Sequence, residues 1–157
     1  MPPAIILDLS QVDLNALAFD KEAILKHNPQ RFEMQHLDGI VMVDKERHLI
    51  VGFKDVTENE FWVRGHIPGR PLMPGVIMIE AAAQLTSFYY KETTGYTGFV
   101  GFAGVTDTSF RATVAPGRRL YLVAKGLKVR TRLFVCQVQG FADGNLIFDT
   151  TISGAPV

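Results

Sequence analysis

The run Gly65-His66-Ile67-Pro68-Gly69-Arg70-Pro71-Leu72-Met73-Pro74-Gly75-Val76-Ile77-Met78-Ile79-Glu80-Ala81-Ala82-Ala83-Gln84 constrains what the rest of the chain can be. Pro68, Pro71 and Pro74 each fix a backbone angle and push the preceding residue toward extended conformations. Gly65 to Pro74 is therefore expected to be a stiff, non-helical loop that holds His66 in place. Pro74 and Gly75 form a helix entrance, and from Val76 to Tyr90 good helix formers run without a breaker. Through Leu85 this helix is apolar on nearly every side, the mark of a helix surrounded by protein. Glu80 is then expected to be buried, and a buried carboxylate must be paired or held protonated, as a general acid requires. The first helical amides, at Gly75 and Val76, lack intrahelical acceptors and sit at the positive end of the helix dipole, where a developing oxyanion is stabilised. A histidine in a proline-rich loop and a buried glutamate can also both be structural, and the residues alone leave that alternative open.

The chain has 157 residues, enough for one domain with a core that needs no disulfide or metal. Hydrophobic residues make up 47% and charged residues 20%, as in an ordinary soluble globule. The formal net charge is zero and the pI about 6.9, which lacks the basic signature of a nucleic-acid binder. Cys136, the single cysteine, excludes an intramolecular disulfide, fits a reducing cytoplasm and reads as a small buried apolar residue. The first residues lack the basic region of a signal peptide, and Glu80 divides the long helix into pieces too short to cross a bilayer. His27, His36 and His48 do not cluster with carboxylates or cysteine, so no metal is assigned.

Residues 1–20 read as an N-terminal arm along the body of the domain. Asp20 is placed to cap a short helix with Glu22 in its first turn, stopped by Asn28-Pro29. Phe32 to Val43 and Leu49 to Val56 read as paired strands joined through Asp44-Lys45-Glu46-Arg47, with Leu49, Val51 and Phe53 on one face. The central helix is expected to end at Thr93-Thr94-Gly95. Strand-like runs follow at Gly98 to Val105, Ser109 to Val114, Arg119 to Arg130, Thr131 to Phe141 and Leu146 to Ile152. A phase change beyond Gly126 predicts a bulge, and Asp143-Gly144-Asn145 a tight hairpin turn. Strands, one long helix, then hairpin-linked strands predict an α+β fold in which an antiparallel sheet curls around the helix. Its exposed face and edges call for a second copy.

The run from Gly65 to Gln84 resembles the signature of the β-hydroxyacyl-acyl carrier protein dehydratases of hot dog fold, in their glutamate-bearing, FabZ-like branch. The resemblance extends more loosely over residues 23–154, through Val56-Thr57-Glu58-Asn59-Glu60, Phe102-Ala103-Gly104 and Phe110 to Gly117. It implies a hydro-lyase of fatty acid biosynthesis that needs no cofactor and converts a 3-hydroxyacyl thioester on acyl carrier protein to the trans-2-enoyl thioester. His66 would remove the α-proton and Glu80 would protonate the departing hydroxyl. The Gly75 amide, with Val76 beside it, would polarise the thioester carbonyl, and Gln84 would position Glu80. In such enzymes the histidine of one subunit works with the glutamate of another, which implies a homodimer or a trimer of dimers, with neither nucleic acid nor membrane as partner. Glutamate at position 80 implies dehydration without isomerisation.

The chain departs from the family pattern at Ile67, where phenylalanine is usual, and at Lys26-His27-Asn28-Pro29-Gln30-Arg31, where Pro-His-Arg is usual. Thr108, Ser109 and Arg118 depart too, and residues 1–20 have no counterpart. The competing expectations are a hot dog acyl thioesterase and a non-catalytic acyl-binding protein of the same fold. The proline-framed His66 loop disfavours the first, and intact His66 and Glu80 disfavour the second.

Overall fold

A computed structural model describes residues 2–157. Its elements run α1 (Lys21–His27), β1 (Gly39–Asp44), β2 (Leu49–Asp55), α2 (Gly75–Thr94), β3 (Val100–Phe110), β4 (Arg119–Val129), β5 (Phe134–Ala142) and β6 (Asn145–Pro156). The strands form one sheet in the order β1-β2-β4-β5-β6-β3, every neighbouring pair antiparallel, around the long α2. This is the α+β, hot dog arrangement expected from the sequence.

Pro74, with φ −60° and ψ 138°, delivers an extended chain into α2, and Gly95 ends the helix in the left-handed region at φ 75°, its N–H bonded to the Lys91 carbonyl. Between these stops Met78, Ala81, Ala82, Leu85, Phe88 and Tyr89 are buried among sheet residues such as Ile50, Leu122, Ala124, Val138, Phe148 and Ile152. Small Ala81 and Ala82 let the helix approach the sheet closely, and Gly52 completes the fit, since a Cβ there would lie 2.8 Å from Leu85 Cδ1.

The second face of the sheet is also covered. Ile6, Leu7, Leu9, Val12 and Leu14 of the N-terminal arm pack over Val41, Val51, Phe53, Val123 and Phe141. Gln139, fully buried, clamps the arm: its Oε1 accepts from Ile6 N and its Nε2 donates to Ala4 O, both at 2.9 Å. Further along, Phe19 pairs with Ile40. The sheet face expected to need a second copy is therefore closed within the chain. Exposed apolar side chains remain at and around the edge strand β3, at Phe99, Phe102, Val105 and Phe110, as well as at Phe32, Phe61, Ile67 and Val76.

Three expectations are corrected. Phe32 to Val43 is not one strand: Phe32–Met34 is a single 3-10 turn and pairing begins only at Gly39, because the Met34 and His36 main chains bond to the Gln84 side chain. The runs at Gly98 and Ser109 are one bent strand, β3, with register shifts opposite β6 between Phe102 and Gly104 and between Thr106 and Ser109. The strand expected from Thr131 starts at Phe134, while β6 continues past Ile152 to Pro156. The Asp20 cap, the bulge after Gly126 and the turn at Asp143-Gly144 are where the sequence places them.

Candidate active site

The His66 loop is closed by its own main chain. His66 N donates to Trp62 O at 2.7 Å, Leu72 N to His66 O at 2.9 Å and Arg70 N to Ile67 O at 2.9 Å. Met73 N then donates to Val114 O at 2.8 Å and ties the loop to the segment beyond β3. The His66 ring in turn contacts the Leu72 carbonyl, Nδ1 to O 2.8 Å. A carbonyl can only accept, so Nδ1 carries a hydrogen, and in the neutral ring the lone pair is on Nε2. The side chain is exposed and presents a fixed base to the surface.

The loop feeds α2. Ile77 N and Met78 N bond to Pro74 O, while the N–H groups of Gly75 and Val76 have no acceptor among the described residues. Gly75 is required on packing grounds, because a Cβ there would lie 2.8 Å from the Phe110 ring. The Val76 side chain is 73% exposed.

Glu80 lies on the following turn and is half-buried, not buried as its apolar neighbours suggested. The difference arises because the flank of α2 carrying Val76, Ile77, Ile79 and Ala83 is apolar yet only partly covered in a single chain. Gln84, one helical turn on and 2% exposed, donates from Nε2 to Glu80 Oε1 at 2.9 Å. The same Nε2 donates to Met34 O at 2.7 Å, and Gln84 Oε1 accepts from His36 N at 2.9 Å. Asn28 Nδ2 adds a bond to the Gln84 main-chain carbonyl at 2.9 Å. Residue-type reasoning could not find Met34 and His36, since they act through the main chain. Asn28, buried beside Pro29, left only its polarity as a signal.

Glu80 opens onto a cavity of about 130 Å³ walled by Ala83, Gln84, Ser87, Phe99, Phe102 and Phe134 among others. His66 is not on that wall and shares no hydrogen bond with Glu80. One chain thus pairs Glu80 with Gln84 and sets Gly75 beside Val76, and neither a hydrogen bond nor that cavity wall joins His66 to Glu80. A larger cavity, about 770 Å³, lies on the other face of the sheet beneath the arm and contains none of these residues.

No group of three metal-ligating side chains exists among the described residues. His27 pairs with Glu92 and His48 with the Tyr89 hydroxyl, each at 2.9 Å. Burial pushes the Cys136 thiol up to about 12, so it is no nucleophile near neutrality. Among the described residues no helix is long and apolar enough to cross a membrane.

A family model for the FabA-like domain matches residues 28–151, a span that includes the loop, α2 and all of the sheet but the end of β6. The chain belongs to the FabA-like family. Its FabA-like relatives include 3-hydroxyacyl-[acyl-carrier-protein] dehydratase FabZ of Polynucleobacter necessarius, 34% identical over 140 residues that cover 88% of this chain and 93% of the relative. FabZ of Streptococcus gordonii is 34% identical over 145 residues, covering 92% and 97%. Among solved structures, the dehydratase heterocomplex ApeI:P of Xenorhabdus doucetiae superposes with a TM-score of 0.73 at 11% identity, covering 85% of this chain and 90% of that one. Cj0977, a sigma28-regulated virulence protein of Campylobacter jejuni, gives 0.67 at 17%, covering 93% and 96%. At such identities these structures speak for the shared hot dog fold alone.

Proposed function

We propose that this protein is a hydro-lyase of fatty acid biosynthesis that removes water from a 3-hydroxyacyl thioester carried on acyl carrier protein and yields the trans-2-enoyl thioester. The observation that carries the reading is the division of labour between two fixed groups: His66, whose ring is held through Nδ1 with Nε2 left unbonded among the described residues, and Glu80, whose carboxyl is held by Gln84 at the mouth of a cavity. Relatives of the same length named as dehydratases support it.

His66 Nε2 takes the α-proton, and the electron pair moves toward the thioester carbonyl, whose oxygen accepts from the Gly75 and Val76 amides at the helix N-terminus. As the pair returns to form the Cα–Cβ double bond, the β C–O bond breaks and the Glu80 proton leaves with the hydroxyl as water. His66 is left protonated and Glu80 ionised, and proton exchange with solvent resets both. Neither group acts as a nucleophile or shifts the new double bond, so the product is unisomerised. With no hydrogen bond and no shared cavity wall joining His66 to Glu80 in one chain, each site in this reading is completed across a homodimer, His66 from one copy and Glu80 from the other. The exposed apolar edge at β3 and flank of α2 support that assembly. Six chains rather than two by native mass spectrometry would mark a trimer of dimers.

Incubation of the protein with a 3-hydroxyacyl thioester tests the activity. Enoyl thioester lighter by one water is the expected product, and free thiol with a 3-hydroxy acid would make the protein a thioesterase instead.

A further inference from the structure

Gln84 is buried and its amide is fully used. Oε1 takes the His36 N–H, and the two Nε2 hydrogens go to Met34 O and Glu80 Oε1. Turned over, the amide would set its oxygen against two acceptors and its NH₂ against an N–H, losing all three bonds. The environment therefore fixes which way round Gln84 sits. Among the described residues the donor that Gln84 Oε1 meets is the main-chain N–H of His36, while Met34 O and Glu80 Oε1 accept from Nε2.

That donor is delivered by a built segment. Arg31 bonds the carbonyls of Leu25, Asn28 and Gln30 at 2.7 to 2.9 Å and anchors the chain before the Phe32–Met34 turn. Gln35, at φ −86° and ψ 111°, then extends the chain so that His36 N points at α2. The His36 side chain is fully buried and neither ring nitrogen has a partner among the described residues. The ring makes no polar contact with Gln84 or Glu80, so any influence on the site passes through the main chain.

We propose that His36 is a positioning residue for the dehydration: its main-chain N–H sets the orientation of the Gln84 amide, which makes Glu80 Oε1 an obligate acceptor and leaves the transferable proton on Oε2. The proposal rests on the dehydratase reading for its consequence but not for its geometry. An oxygen that already accepts from an amide N–H is the poorer site for the proton, so the acid presents one defined atom to the leaving hydroxyl. Without the His36 donor, Gln84 Oε1 is left buried without its partner and the amide is held on its Nε2 side alone, by Met34 O and Glu80 Oε1, so its hold on the carboxyl loosens and the proton is no longer confined to one oxygen.

The test compares His36→Pro, which deletes the N–H, with His36→Leu, which deletes the ring but keeps the N–H. Proline is compatible with the extended conformation already present at Gln35. Relative to His36→Leu, kcat of His36→Pro should fall by about tenfold or more with KM little changed, the loss associated with one buried hydrogen bond. Equal kcat values in the two variants overturn the proposal. If His36→Pro does not fold, Gln84→Met replaces it: lost kcat at constant KM supports the clamp, and wild-type kcat refutes it. A readout independent of turnover is the ¹⁵N–¹H signal of the Gln84 side-chain amide. In wild type and His36→Leu it should follow the ionisation of Glu80, and in His36→Pro it should not. If no form produces enoyl thioester, the dehydratase reading fails while the amide signal still decides the clamp.

Discussion

Lowering the pH from 7 to 5 should destabilise this fold through His36 in particular. Its ring is fully buried with both nitrogens unpartnered. Burial, with the nearby Lys54 ammonium opposing a second positive charge, depresses it to about 4, while Glu60 and Asp38 act weakly the other way. The unfolded chain binds a proton at this residue near 6.5, so between about 6.5 and 4 the unfolded state holds more protons and stability falls as pH falls. With those two values the loss between pH 7 and pH 5 is about 2 kcal/mol, nearly all of it below pH 6.5. Glu60 adds little in this window: although burial acts to raise it, the Thr57 amide and Lys54 hold it below the usual carboxylate range. Urea unfolding of wild type and His36→Leu at both pH values isolates the term, since other groups titrate alike in both. Wild type should lose about 2 kcal/mol more than the variant. Parallel losses would mean that His36 is not held neutral by burial.

Glu80→Gln and His66→Ala should each lower kcat by roughly 10²- to 10⁴-fold, the range for removing a general acid or base, with the thermal unfolding midpoint little changed. Steady-state enoyl formation beside a melting curve checks both. Arg64 and Arg70 flank the His66 loop and have no ion-pair partner among the described residues, whereas Arg118 and Arg119 pair with Asp143 and Asp55. Reversing the charge at Arg64 and Arg70 should therefore raise KM for substrate on the acidic carrier and leave KM for a short thioester as it was. Gln139→Ala removes both main-chain bonds to the arm and should cost about 1 to 3 kcal/mol, read by urea unfolding, with faster proteolysis of residues 2–18.

The loop and helix at the centre of the sequence were legible because their signals are local: three prolines, a glycine cap and an unbroken run of helix formers. The Asp20 cap, the bulge beyond Gly126 and the Asp143-Gly144 turn were legible for the same reason. What the sequence hid depends on distant partners. Phe32 to His36 has the composition of a strand, yet its polar main-chain groups go to a glutamine 48 residues away. The path of β3 was hidden because Asp107, at φ 51°, lies near a register shift and breaks the alternation that would have joined its two halves. The seat of the arm depends on Gln139, a buried polar residue whose partners lie at the opposite end of the chain. Glu80 was expected to be more enclosed because apolarity around a helix records what finally covers it, and a single chain supplies only part of that cover. At the site, the Glu80–Gln84 pair follows from one helical turn of spacing, but that His66 lies off the cavity wall Glu80 occupies could be seen only in three dimensions.

The central claim is that His66 of one copy and Glu80 of another form each working site. It is tested most directly by unfolding and refolding His66→Ala and Glu80→Gln chains together, confirming mixed dimers by native mass spectrometry and measuring enoyl product. In a mixed dimer one site carries both substitutions and the other carries neither. With random exchange about half the dimers are mixed and each regains one of two sites, so about a quarter of wild-type activity should return. Confirmed mixing with no activity above that of the parent variants would contradict the shared site and place both residues of each site in one chain.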